Sequence, residues 1–85
     1  MNLVFAPQAF EDYRHWQQTD RTKLRRVNRL IDDIMRADPY QGLGKPEKLR
    51  YLDAWSRRVD EEHRLVYRLV DGDLHILQVR YHYGA

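Results

Sequence analysis

Residues 63–83, HRLVYRLVDGDLHILQVRYHY, contain two apolar-rich runs on either side of an Asp-Gly-Asp segment. In both runs, branched and aromatic residues alternate with polar ones, which is the period of a half-buried strand. Residues 55–60, WSRRVD, lie just upstream and are separated from the first run by two glutamates. The pattern predicts three consecutive strands, at 55–60, 63–70 and 74–83, connected by tight turns.

The Asp-Gly-Asp segment permits two registers for the last two strands. A two-residue turn on Asp71-Gly72 is typical of hairpins and would pair Val70 with Asp73, but it would place apolar residues of one strand beside polar residues of the other. A three-residue turn with a left-handed Gly72 pairs Val70 with Leu74. Because a shift of one residue exchanges the two faces of a strand, this register restores an apolar face. We therefore predict a core face that carries Leu65, Tyr67, Leu69, Leu77, Val79 and Tyr81.

The opposite face of this sheet is predicted to be rich in arginine, because the same parity places Arg58 opposite Arg64. Near the turn it carries Val66, Val70, Leu74 and Ile76. Its other members are Arg58, Arg64, Arg68, Gln78, Arg80 and His82. Grouped cations repel one another and need an anion, for which an RNA phosphate is suitable. The alternative is that nearby carboxylates fold back as counter-ions, namely Asp53, Asp60, Glu61 or Glu62, and the sequence leaves both interpretations open.

The first half of the chain predicts a short strand at residues 3–5 and two helices. Pro7 is favourable in a first helical turn, and aromatic residues at every third position predict one buried stripe, formed by Phe10, Tyr13 and Trp16. Thr19 and Asp20 are capping residues that separate this helix, at 7–18, from a second one. The buried positions of the second helix are predicted to be Leu24, Val27, Leu30, Ile31 and Ile34. Its exposed side carries Lys23, Arg25, Arg26, Arg29, Asp32 and Asp33, before Asp38-Pro39 ends the helix.

Two helices followed by a strand meander predict an α+β fold. In it, an N-terminal strand accompanies two helices that pack on one face of an antiparallel sheet. Residues 1–85 suffice for one domain with a thin core. The absence of cysteine excludes disulfides and thiolate metal sites. The apolar residues 3–6 are too few for a signal peptide or a membrane span, so no membrane association and a cytoplasmic location are expected.

The charge balance alone points to no single partner. The net charge is only +2, but twelve of the fifteen basic residues are arginine, whose rigid fork suits phosphate. A solvated, salt-bridged surface explains the same composition. The segment Gly42-Leu43-Gly44-Lys45 has the glycines and the lysine of a phosphate-binding loop. It leaves a helix and enters strands, whereas nucleotide-binding loops leave a strand and open a helix, so that function is rejected.

Five short segments share their order and spacing with one known family. They are Trp16-Gln17-x-Thr19-Asp20, Gly44-Lys45-Pro46-Glu47, Trp55-Ser56-Arg57-Arg58, Glu61-Glu62-His63-Arg64-Leu65-Val66-Tyr67 and Arg80-Tyr81-His82-Tyr83. Each segment alone is weakly specific, but the combination across residues 3–83 resembles the YoeB/Txe toxins. The family pattern has one more residue between Arg50 and Trp55, which is a difference in loop length.

The resemblance implies a microbial RNase-like fold of the RelE superfamily. It also implies a toxin that enters the A site of the 70S ribosome and cleaves mRNA during translation. The expected partners are the ribosome, the mRNA substrate and a cognate antitoxin of the YefM/Phd type, whose disordered tail wraps the toxin; a homodimer is left open.

The resemblance also assigns roles to individual residues. Glu47 matches the general base, His82 the general acid and Arg64 the stabiliser of the transition state. Arg58 and Tyr83 match supporting positions in the active site. Residues expected to hold RNA are Lys45, Arg50, which stands where the family has a lysine, and Arg80 of the basic face.

These roles describe a reaction that needs no metal and no cofactor. Glu47 would take the proton of the RNA 2′-hydroxyl, and His82 would protonate the departing 5′-oxygen, giving a 2′,3′-cyclic phosphate and a 5′-hydroxyl. Arg64 would bear the charge that develops on the phosphate. His15, His63 and His75 are expected to be structural.

Two other interpretations remain. The first is a noncatalytic module that binds RNA or the ribosome. The second is a toxin of the same superfamily fold that poisons a topoisomerase, although such toxins lack this glutamate and the C-terminal Arg-Tyr-His-Tyr set.

Overall fold

Five strands and two helices form the regular structure of residues 1–81, the part of the chain that this computed structural model describes. In chain order they are β1 (Leu3–Phe5), α1 (Pro7–Thr19), α2 (Arg21–Arg36), β2 (Glu47–Lys48), β3 (Trp55–Arg58), β4 (Arg64–Val70) and β5 (Asp73–Gln78). The predicted α+β class and both helices are confirmed. The alternation of residues does not predict β2, because a strand of two exposed residues has no period to detect.

The strands form one sheet in the order β1-β5-β4-β3-β2. Strands β2 to β5 form an antiparallel meander, of which β3, β4 and β5 were predicted. Strand β1 pairs with β5 in parallel, from Leu3 opposite Leu74 to Phe5 opposite Ile76, so the sheet is mixed rather than wholly antiparallel. The helices between β1 and the meander carry the chain across one sheet face, which lets the first strand run alongside the last.

The core lies between this sheet face and the two helices. Helix α2 buries Val27, Leu30, Ile31 and Ile34, as its helical spacing predicts, and the Asp20 carboxylate accepts a hydrogen bond from Lys23 N at its start. No helix of residues 1–81 combines the length and the apolar content needed to cross a membrane.

The predicted aromatic stripe of α1 is only partly buried. Trp16 is in the core and Tyr13 packs against it, but Phe10 is 52% exposed. Successive steps of three residues drift around a helix by about 60° each, so the stripe spans about 120° and its first member, Phe10, lies at the exposed margin. The buried positions are instead Ala9, Asp12 and Trp16.

The predicted three-residue turn between β4 and β5 is wrong. Val70 pairs with Asp73, and both Asp71 (φ 51°) and Gly72 (φ 82°) are left-handed, as a two-residue hairpin turn with matching twist requires. The register then changes farther along the hairpin. Tyr67 pairs with Ile76, whereas Val66 pairs with Gln78, so Leu77 is the extra residue of a β-bulge.

The bulge explains how β4 and β5 keep a common apolar face although they are joined by a two-residue turn. Between the turn and the bulge, Leu74 and Ile76 join Tyr67 in the core, and beyond the bulge Val79 joins Leu65 there. Placing Leu74 and Ile76 on the basic face was therefore wrong, as was placing Leu77 and Tyr81 in the core: Leu77 is half-buried and Tyr81 is exposed. The predicted core positions Leu65, Tyr67, Leu69 and Val79 are confirmed.

The corrected register can be tested by truncating two leucines of the same strand. Leu74→Ala should lower the free energy of unfolding by about 2–5 kcal/mol, because Leu74 is fully buried in the core. Leu77→Ala is the matched control and should cost less, because Leu77 is half-buried at the bulge. Chemical denaturation measures both losses in free energy of unfolding. A larger loss for Leu77→Ala than for Leu74→Ala would support the three-residue turn instead.

Candidate active site

The sheet face opposite the helices, here called the distal face, brings together the predicted base and two predicted arginines. Residues that pair across neighbouring strands share a face. Glu47 pairs with Ser56, Ser56 with Val66, and Arg58 with Arg64, as the parity of the meander predicted for the two arginines. The structure therefore places Glu47, Arg58 and Arg64 on one face, although they come from three strands.

Arg64 is fixed in place by its neighbours. Only 7% of the residue is exposed, and its Nε donates to Ser56 Oγ at 2.8 Å. Its Nη2 donates to the backbone oxygens of Lys45 at 3.1 Å and Ser56 at 3.3 Å. The same Nη2 lies 3.9 Å from Glu47 Oε2. A guanidinium held by several acceptors offers a fixed positive charge to an anion at the distal face.

Burial lowers the pKa of Arg64 below its usual range. The positive charge of Arg58 acts in the same direction, while Glu47 opposes both. Arginine nevertheless remains charged at pH 7 in proteins. Its charge is little screened by water, so it interacts more strongly with an approaching anion than a surface arginine would.

Glu47 is more accessible than its arginine partner, with 64% of its side chain exposed. Lys45 precedes it in a left-handed conformation, with φ 50°, and is exposed. Arg50 is exposed in the turn between β2 and β3. A carboxylate and two flanking cations are thus open to solvent along the same edge of the sheet.

Three of the four carboxylates considered as counter-ions pair elsewhere. Asp53 contacts Lys48 at 3.2 Å, and Asp60 contacts Lys23 at 3.2 Å. Glu62 Oε1 lies 3.3 Å from His63 Nε2. Across residues 1–81, the carboxylate that forms an ion pair with Arg64 is Glu47 itself.

Arg80 does not lie where the register predicted. Its guanidinium carbon lies 5.7 Å from the centre of the Trp16 ring and 4.8 Å from that of the Tyr81 ring, and its Nη2 donates to the Tyr81 hydroxyl at 2.9 Å. Trp16 belongs to α1, so Arg80 lies toward the helix side of the sheet rather than beside Arg64. The regular strand ends at Gln78, and alternation no longer applies at Arg80.

The two-residue turn also changes the position of one histidine. His75 pairs with Arg68 and so shares the distal face with it, whereas the predicted three-residue turn would place it on the face of Leu77 and Val79. His63 behaves as predicted: it is buried, and its Nδ1 accepts a hydrogen bond from Tyr81 N at 2.8 Å.

The chain leading to the predicted acid is anchored by helix α1. Asp12 Oδ2 accepts a hydrogen bond from Val79 N at 2.9 Å, and Trp16 Nε1 donates to Val79 O at 3.0 Å. One residue of the chain is thus held through both of its backbone polar groups. The predicted residues His82 and Tyr83 lie outside the described residues.

The most extensive polar contact set among residues 1–81 surrounds Arg57, which the sequence patterns did not single out. Arg57 is fully buried on the helix side of β3 and forms an ion pair with Asp33 of α2. Its guanidinium also donates to four backbone oxygens of the segment after α2, at 2.9–3.2 Å, those of Asp38, Pro39, Gln41 and Leu43. Its Nε donates to the Tyr67 hydroxyl at 3.2 Å, and that hydroxyl donates to Pro39 O.

A signal for this contact set was present in the sequence. Arg57 and Arg58 are neighbours in a strand and must point to opposite faces. Once Arg58 is assigned to the distal face, Arg57 points to the core, where a charge requires a partner. Asp33, predicted to lie on the exposed side of α2, is that partner. Gly42 fits beside the pair at φ 123°, where a Cβ atom would overlap the Asp33 carboxylate.

Comparison with known proteins identifies the family of this chain. Residues 5–83 match the family described as "YoeB-like toxin of bacterial type II toxin-antitoxin system". The chain is 51% identical to Toxin YoeB of Streptomyces coelicolor over 85 residues, which cover 98% of this chain and 100% of that one. This chain belongs to the YoeB toxin family.

Solved structures of this family have the same fold. A YoeB dimer from Staphylococcus aureus is 45% identical, with a TM-score of 0.90 and 98% of each chain covered. A heterotetrameric YoeB–YefM toxin–antitoxin complex from the same organism is 44% identical, with a TM-score of 0.88 and the same coverage. The two helices on a five-stranded mixed sheet are thus the YoeB-type fold.

The Asp33–Arg57 pair predicts a pH-dependent stability. The hydrogen bond from Arg57 is the main cause that lowers the pKa of Asp33. A carboxylate with a lowered pKa in the folded state stabilises it above the unfolded pKa of about 3.9, and this contribution is lost as the pH falls through the folded pKa. Asp33→Asn should therefore lower the free energy of unfolding at pH 7 by about 1.5–3 kcal/mol, the range for hydrogen bonds to charged groups.

The difference between wild type and Asp33→Asn should shrink as the pH is lowered below about 4. Denaturant unfolding at several pH values measures it. Asp32→Asn, an exposed neighbour on α2, is the control and should show little loss at any pH. If Asp33→Asn loses the same free energy of unfolding at every pH down to 2, the charge of Asp33 does not contribute to stability.

Proposed function

We propose that this toxin is a ribosome-dependent endoribonuclease that cleaves mRNA in the A site and so inhibits translation. The observation that carries the proposal is the position of the Glu47 carboxylate, 3.9 Å from the buried Arg64 guanidinium and on the same face as Arg58. A base beside fixed positive charge suits a reaction in which a proton leaves a hydroxyl group next to a phosphate. Membership of the YoeB family supports the same activity.

The proposed reaction begins when Glu47 takes the proton of the 2′-hydroxyl group. The 2′-oxygen attacks the adjacent phosphorus atom, and Arg64, with Arg58 beside it, stabilises the charge that develops on the phosphate oxygens. His82 protonates the departing 5′-oxygen, and Tyr83 supports the site. The products are a 2′,3′-cyclic phosphate and a 5′-hydroxyl. The roles of His82 and Tyr83 come from the family resemblance.

Lys45 and Arg50 are proposed to hold the RNA backbone. Both are exposed, and they flank Glu47 along the chain. Arg80 was assigned to the same group by sequence. Its packing over the Trp16 and Tyr81 rings favours a role at the edge of the site rather than under the phosphate.

The proposed partners are the ribosome, its bound message and a cognate antitoxin in the cytoplasm. Similar structures include a YoeB–YefM complex and a YoeB dimer, both from Staphylococcus aureus. We propose that an antitoxin of the YefM/Phd type neutralises this chain and that the free toxin forms a homodimer.

Removal of the base should abolish most cleavage. Glu47→Gln is expected to lower the rate constant for cleavage of ribosome-bound message by about 10²- to 10⁴-fold, because a positioned general base typically contributes that factor. Glu11→Gln is the matched control, since Glu11 is an exposed carboxylate on α1, and it should cleave at the wild-type rate. Primer extension on message from a translation extract measures both rates. A noncatalytic ribosome-binding module would block translation without producing fragments in any variant.

The acid and the supporting tyrosine should differ in their effects. His82→Gln is expected to slow cleavage by about 10²- to 10⁴-fold, and Tyr83→Phe by less. A 2′-deoxy substitution at the cut site should abolish cleavage, because the nucleophile is removed. Fragment-end analysis should find a 2′,3′-cyclic phosphate. Equal rates for His82→Gln and wild type would exclude the proposed acid.

A further inference from the structure

The buried Arg57 lies outside the proposed active site, but it holds the segment that leads to it. We infer that Arg57 is a positioning residue: it fixes residues 38–43 and thereby the course of residues 44–47, which bring Lys45 and Glu47 to Arg64. The effect on cleavage rests on the proposed function, whereas the effect on the segment does not. Arg57 itself is fully buried on the helix side of the sheet and cannot contact RNA on the distal face.

Consecutive backbone contacts connect Arg57 to the distal face. Leu43 N donates to Asp33 Oδ2 at 3.1 Å, and Leu43 O accepts from Arg57 Nη1 at 3.2 Å. The next residue, Gly44, accepts at its oxygen from Arg58 N at 2.6 Å. The residue after that, Lys45, accepts from Arg64. The segment is therefore held first from the helix side and then from the distal side.

Without these contacts, little would order the segment. Strand β2 consists of two residues at the sheet edge, which is too short to be stable by pairing alone. Glycines at positions 42 and 44 lose more conformational freedom on folding than other residues do. Gly42, Gly44 and Lys45 all have positive φ. The buried guanidinium, with its four backbone acceptors, supplies the missing restraint.

Small movements of this segment should matter for catalysis. A reacting group displaced by about 1 Å can cost about 10²-fold in rate. Glu47 Oε2 lies 3.9 Å from Arg64 Nη2, so a shift of the loop changes both the base and its electrostatic neighbour. The position of Glu47 depends on contacts whose origin lies on the other side of the sheet.

The test uses the full chain and two hydroxyl deletions. Tyr67→Phe removes the group that accepts from Arg57 Nε and donates to Pro39 O, while its ring still fills the core. Tyr13→Phe is the matched control, because it removes a hydroxyl that donates to Asn28 Oδ1 between the two helices. Arg57→Lys, which keeps the charge but loses the fork, is added if it folds.

The first measurement is amide hydrogen exchange by NMR. In Tyr67→Phe, the Arg58 amide, which donates to Gly44 O, should exchange at least about 10-fold faster, because local opening becomes easier. The Leu74 amide, which donates to Asn2 O at the opposite edge of the sheet, should be unchanged. If exchange is accelerated equally at both amides, or at neither amide, the buried cluster does not restrain this segment locally.

The second measurement is single-turnover cleavage in two backgrounds. Tyr67→Phe should lower the rate constant by about 10- to 100-fold, with unchanged affinity for a 2′-deoxy message complex. In a Glu47→Gln background, the same change should have less than about twofold effect, because its target is already lost. If the losses in rate constant from Tyr67→Phe and Glu47→Gln are additive, the buried cluster does not act through Glu47. If Glu47→Gln alone cleaves normally, the proposed base is wrong, and the exchange data still decide whether the buried cluster holds the segment.

Discussion

The burial of the Arg57 guanidinium is the constraint on which the rest of the structure depends. A buried charge is costly unless it is paired and its donors are satisfied. Here the pair is with Asp33, and the remaining donors reach Tyr67 and the segment that follows α2. Helix, loop and two strands therefore meet at one side chain. Loss of any partner would leave part of that charge uncompensated. Gly42 lies against the pair, where a Cβ atom would overlap the Asp33 carboxylate.

The same strand serves stability and the candidate site. Successive residues of β3 point to opposite faces. Arg57 is therefore buried on the helix side, while Arg58 lies opposite Arg64 on the distal face. Ser56, between Trp55 and Arg57, accepts from Arg64 and so orients the proposed phosphate-binding charge. A chain of this size has few residues to spare, and alternation lets adjacent arginines perform different tasks.

Sequence patterns predicted those parts of the fold that depend on local periodicity. The buried positions of α2 and the pairing of Arg58 with Arg64 follow from spacing alone. The turn between β4 and β5 could not be settled in this way, because a three-residue turn and a two-residue turn with a later bulge give the same parity at Val66. Arg80 was misplaced because the strand ends before it. Roles such as that of Glu47 came from family resemblance, which alternation cannot supply.

The parallel pairing of β1 with β5 has a consequence for how the molecule is made. Leu3 and Leu74 are neighbours in space but lie far apart along the chain, and such non-local contacts slow folding because a long loop must close first. A growing polypeptide cannot complete its core before β5 has been synthesised. In a nascent chain, β1 therefore has no sheet partner until translation has passed the final hairpin.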